Sequence, residues 1–79
     1  MMKFEEACKA MKDQKVVYRT FTDLHVQSII SGRITSIDPG GKCRLEYQHE
    51  GSRRTTLVTL DTLHLTHADA IKALTDVPF

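Results

Sequence analysis

Between Ile29 and Tyr47 two apolar-patterned runs are joined by Asp38-Pro39-Gly40-Gly41, and no other stretch constrains the chain as much. Pro39 fixes φ near the value required at the second position of a turn, and Gly40 or Gly41 takes positive φ at little cost. The pattern predicts a β-hairpin, and two registers are compatible with it. A two-residue loop at Pro39-Gly40 sets Ile34 opposite Leu45, Gly32 opposite Tyr47 and Arg33 opposite Glu46. A three-residue loop with a glycine bulge instead sets Ile37 opposite Cys43. Ile34 and Ile37 differ in parity, so a flat strand cannot bury both. A bulge near Thr35-Ser36 lets both point inward and bends the strand. Gly32 offers a second place to bend, and a strand bent in this way suits closure into a small barrel. On this reading Gly32 and Tyr47 are neighbours and Tyr47 is largely buried.

The flanking segments fit around that hairpin. Residues 2–14 predict a helix, because Phe4, Ala7, Cys8 and Met11 recur at i, i+3, i+4 and i+7. Glu5 and Lys9 stand in the favourable i, i+4 order. A helix this short is not stable alone and needs a sheet to cover. Val16, Val17, Tyr18, Thr20 and Phe21 predict a strand over Lys15–Phe21, with Thr22-Asp23 as the following turn. Cys43, Leu45 and Tyr47 alternate with Lys42, Arg44, Glu46 and Gln48, the mark of a half-buried strand. Glu50-Gly51-Ser52 reads as a turn, Thr55–Leu60 as a fourth strand, and Leu63-His64-Leu65 as a short fifth after a break at Asp61-Thr62. Thr66 is placed to cap a last helix with Asp69 three residues on, Ala70, Ile71 and Leu74 form its apolar face, and Pro78 ends it.

The expected fold is therefore mainly β: a five-stranded antiparallel SH3-like or Sm-like barrel with an N-terminal helix and a short C-terminal helix. It forms one domain over residues 1–79, divided into a helix (1–14), a barrel (15–65), and a helix with tail (66–79). At 79 residues such a domain buries about 60% of the surface its unfolded chain exposes, so its stability is modest. Hydrophobic content of 41% and charged content of 27% fit a soluble globular chain. No apolar run approaches the roughly 20 residues of a membrane span and no signal-peptide core follows Met1. The expected location is cytoplasmic, with no membrane partner.

Val16-Val17-Tyr18, Ser31-Gly32-Arg33-Ile34-Thr35-Ser36-Ile37-Asp38 and Leu57-Val58-Thr59-Leu60-Asp61-Thr62-Leu63 carry a resemblance to two Sm-like families. One is the Rof family of inhibitors of the Rho transcription terminator, and the other is the YolD-like family of small bacterial proteins. The Rof resemblance covers roughly residues 5–68 and includes Glu6-Ala7-Cys8. It implies a regulatory accessory of transcription that acts through a protein partner, with no cofactor. Rof proteins meet Rho through an acidic surface. This chain has a net charge of +1 and sets Arg33, Lys42 and Arg44 on its central hairpin, so no functional residue carries over.

Read from the residues, the candidate binding surface is the basic set Arg33, Lys42, Arg44, Arg53 and Arg54. Residues 42–54 hold four of these cations against Glu46 and Glu50, whereas after residue 55 only Lys72 stands against Asp61, Asp69 and Asp76. Lys42 and Arg44 share a strand face, and a Glu50-Gly51 turn sets Gln48 opposite Arg53 to extend it. A cationic strand face suits an acidic protein surface. With an aromatic platform it suits RNA or single-stranded DNA, but Tyr47 has the opposite parity. The expected function is thus non-enzymatic binding, with a protein partner ahead of nucleic acid and a small enzyme a distant third. Leu57 lies on the parity opposite Val58 and Leu60, so an apolar edge or face could join copies in a homodimer or small ring.

Other constellations point to bland roles. His64 and His67 have HxxH spacing but no third ligand nearby, and zinc needs three or four, so ordinary surface histidines are expected. Cys8 and Cys43 fall on apolar faces without a nucleophile motif, His25 and His49 included, and are expected to be buried thiols. Glu46 is expected to pair with Arg33 across the hairpin.

Overall fold

The computed structural model describes residues 2–75. Their order is α1 (Phe4–Lys12), β1 (Val17–Asp23), β2 (Val26–Ile37), β3 (Lys42–His49), β4 (Ser52–Thr59), a 3-10 turn (Leu60–Thr62), β5 (Leu63–His64) and α2 (His67–Thr75). The strands form one antiparallel sheet in the order β4-β3-β2-β1-β5. The fold is mainly β with a helix at each end, as the sequence predicts. Closure into a barrel is not part of the ladder. β4 and β5 are its two ends, linked through the 3-10 turn, and no strand pairing joins them among the described residues. The expected helix stop at Pro78 lies outside the described residues.

The two candidate hairpin registers both occur. Near the turn Ile37 faces Cys43, and farther on Ile34 faces Leu45 and Arg33 faces Glu46, with the shift between Ile34 and Ser36. The turn accounts for the first register. Gly41 donates to the Asp38 carbonyl (3.0 Å) and takes φ 87°, which is a tight turn followed by a glycine bulge. The Asp38 carboxylate accepts the Lys42 N–H at 2.9 Å. Thr35 is the extra residue of the second bulge, and its hydroxyl donates to the Arg44 carbonyl at 3.3 Å. The bulge restores parity, so Ile34 is buried and Ile37 packs against the core.

At Gly32 β2 changes partners. Residues 26–32 pair with β1, and Gly32 itself faces Val17, while the pairing with β3 begins at Arg33. A Cβ at Gly32 would lie 2.5 Å from the Glu46 carbonyl oxygen and 3.1 Å from the Leu45 side chain. The close approach of β3 at this point leaves no space for a side chain. The expected pairing of Gly32 with Tyr47 does not form, since the strands have parted by that point, and Tyr47 is half-buried rather than a core residue.

The core joins Met2, Ala7 and Ala10 of the N-terminal segment to Val17, Ile34, Cys43, Leu45, Val58 and Leu63. The face that α1 buries is therefore turned from the expected one. Ala7, Ala10 and Met11 meet the sheet, and Phe4 is 44% exposed. The buried positions of α1 are the small Ala7 and Ala10, and the phenyl ring of Phe4 stays outside the core. Thr66 caps α2 as expected, accepting the Asp69 N–H at 3.1 Å. Ala70 is buried, whereas Ile71, expected on the apolar face beside it, is 45% exposed. Thr22-Asp23 belongs to β1, and the turn is instead Leu24-His25, both at positive φ.

Candidate binding face

Directly opposed residues of an antiparallel pair share a face, so the registers sort the basic set. Arg33 faces Glu46, Arg44 lies between Ser36 and Leu57, Lys42 faces Thr59, and Gln48 faces Arg53. Arg33, Lys42, Arg44 and Arg53 thus share the outer face of β2, β3 and β4 and are exposed. Arg54 does not join them. It faces Tyr47 and so lies on the core-side parity, exposed where the sheet runs past its core. The sequence held the signal for this: once Gln48 faces Arg53 across a two-residue turn, Tyr47 must face Arg54.

The four cations differ in what they hold. Arg33 donates from Nε to the Gln14 carbonyl at 3.1 Å. Gln14 ends α1 at φ 53°, with its N–H on the Met11 carbonyl and the Lys15 N–H on the Ala10 carbonyl. That is the glycine-type helix stop made by a glutamine, and Arg33 helps to fix it. The expected Arg33–Glu46 ion pair does not form. Glu46 pairs instead with Arg53, at 3.5 Å, with the two side chains 38% and 73% exposed, so the contribution to stability is small. Lys42 and Arg44 hold no ion pair among the described residues. Beside Arg44 stands Leu57, 62% exposed.

Where β2 and β3 part, a cleft of about 330 Å³ opens. Arg33, Gln48 and Arg53 line it together with Glu46, Tyr47 and the backbone around Gly32. The cleft brings two guanidinium groups and a half-buried phenol to one place, a juxtaposition that the parity argument alone did not predict.

The histidines and thiols are placed differently from expectation. His64 is not a surface histidine: it is 4% exposed and its Nε2 lies 3.4 Å from the Thr20 hydroxyl. Burial pushes its pKa below the ordinary value, with the Asp69 carboxylate pulling the other way. His67 meets the Tyr18 ring edge-on at 5.5 Å. Among the described residues no three metal-ligating side chains gather. Cys43 is buried, and burial raises its thiol pKa, which disfavours the thiolate that nucleophilic chemistry needs. Cys8 is half-buried, short of the burial expected for it.

Comparison of the chain with family models, with curated proteins and with solved structures gives no match. No described helix is long and apolar enough to cross a membrane.

Proposed function

We propose that this protein acts by binding and that the outer face of β2, β3 and β4 meets an acidic surface of a protein partner. The observation that carries this reading is the pair Lys42 and Arg44, exposed on one strand face without ion-pair partners among the described residues and set beside the exposed Leu57. An interface needs an apolar centre as well as charge, and Leu57 supplies it. The cations steer association and fix orientation. The resemblance to the Rof inhibitors supports a role as a regulatory accessory in transcription or nucleic-acid metabolism.

A second reading rests on the cleft beside Tyr47. Arg33 and Arg53 flank a half-buried aromatic ring there, and single-stranded nucleic acid is held by cations and stacking surfaces together. Protein partnership ranks first because Arg33 is engaged by the Gln14 carbonyl and Arg53 by Glu46, whereas Lys42 and Arg44 are uncommitted.

One experiment separates the two. Wild-type protein and Arg44→Glu are compared for retention of proteins from a native extract and for binding to a short oligonucleotide across a salt series. The expected outcome is a specific protein retained by the wild type and lost in Arg44→Glu, with negligible oligonucleotide binding at physiological salt. Oligonucleotide binding by the wild type with a log–log salt slope of about −0.7 per phosphate neutralised would reverse the ranking, whether or not Arg44→Glu weakens it, because the cleft does not include Arg44.

A further inference from the structure

The two ends of the sheet are finished differently. β5 is two residues long and is packed by α2. β4 is eight residues long, pairs with β3 at every position without a bulge, and contains neither proline nor lysine. Short length, bulges, proline, lysine and other charged side chains are the devices that ordinarily keep an edge strand from pairing. β4 carries charges only beside the turn, at Arg53 and Arg54, and none of these devices over Thr55–Thr59.

The turn sets the hydrogen-bonding phase of this edge. Glu50 and Gly51 take φ 52° and 78°, a two-residue turn that makes His49 and Ser52 a hydrogen-bonded pair. By alternation Arg54, Thr56 and Val58 direct their backbone groups to β3, and Arg53, Thr55 and Leu57 direct theirs away from it. No other part of the described chain takes those outward groups. The Thr59 carbonyl does have a partner, the Thr62 hydroxyl at 2.8 Å.

We infer that β4 is a dimerisation edge. Two copies pair β4 to β4 in antiparallel sense about a twofold axis, with Thr55 opposite Leu57 of the second copy. The two five-stranded sheets then become one. Three observations favour a second copy as the occupant. An antiparallel edge is complementary to itself, as a twofold interface requires. In this register Leu57 of each copy is the diagonal neighbour of the other, within side-chain reach, so two residues that the monomer leaves 62% exposed cover part of one another and form one apolar patch on the outer face. Arg53 lies opposite the uncharged Thr59 of the second copy, so no like charges stand directly opposite one another along the paired strands. The cationic faces do not oppose this assembly. The two Arg44 residues stand three strand spacings apart, roughly 14 Å, beyond the Debye length of about 8 Å at physiological ionic strength.

Sedimentation equilibrium over a concentration series tests the inference with three proteins: wild type, Leu57→Lys and Thr55→Pro. The Thr55 N–H points away from β3, so proline there removes no bond within one molecule and removes two from the dimer. Circular dichroism checks that each variant folds, and the exposed Leu57 keeps the test sound if the proline variant does not. The expected result is a monomer–dimer equilibrium in the wild type at high micromolar concentration, weakened about tenfold or more by Leu57→Lys because two ammonium groups then face one another. Thr55→Pro should weaken it likewise. A wild type that stays monomeric throughout overturns the inference, as does a dimer that Leu57→Lys leaves unchanged.

Discussion

At Gly32 the structure depends on an atom that is not there. The Glu46 carbonyl oxygen occupies the space a Cβ would need, 2.5 Å away, and a carbonyl held in a ladder gives way less readily than the tip of a side chain. Gly32→Ala should therefore cost about 1–3 kcal/mol through overpacking, read as a lower denaturant midpoint with an unchanged slope. A change below about 0.5 kcal/mol would mean that β2 and β3 can part further without loss. The same residue explains why Tyr47 was misplaced by pattern. Alternation along β3 set Tyr47 with Cys43 and Leu45, but alternation cannot say where a partner strand leaves. The separation at Gly32 takes cover from the Tyr47 ring and opens the cleft beside Arg33 and Arg53.

Among the elements, the β1–β2 hairpin carries the clearest local conflict. Leu24 and His25 take φ 48° and 70°, the conformation of a turn that ordinarily calls for Asn-Gly. A side chain in that region costs roughly 1–2 kcal/mol, and Leu24 gains nothing in return from packing, being 87% exposed. Replacing Leu24 by Asn together with His25 by Gly should raise stability by about 1 kcal/mol, measured as a higher unfolding midpoint; a lower midpoint would show that the tip is held by contacts its exposure does not reveal. Because Leu24-His25 lacks every ordinary turn residue, the sequence pointed to Thr22-Asp23 instead. The Asp38–Gly41 turn, with proline and glycine where physics requires them, was legible to the register. The parity conflict between Ile34 and Ile37 was enough to locate the bulge at Thr35. For α1 the spacing identified the helix but favoured the large Phe4 over Met2 and Ala10, because periodicity cannot show how close a helix lies to its sheet. Four of the five cations on the candidate face were legible as a set. The engagement of Arg33 with Gln14 was not, since it depends on how α1 ends.

Taken as a whole, the molecule has a small core in which three N-terminal residues complete the packing of strands far along the chain, so the helix and the sheet stand or fall together. Into that margin it has placed an imidazole. His64 is nearly inaccessible, and its folded pKa lies below the ordinary 6.5. Near that pH the unfolded chain holds more protons than the folded one, so stability rises with pH there. The contribution of His64 is complete above about pH 6.5 and is lost as pH falls through that value toward the depressed folded pKa. His64→Gln should flatten the pH dependence of the unfolding free energy between about pH 7 and 5; an identical slope in both proteins would remove His64 as its source. Through His64, folding in mildly acidic solution releases protons to the solvent, and acidification opposes it by mass action.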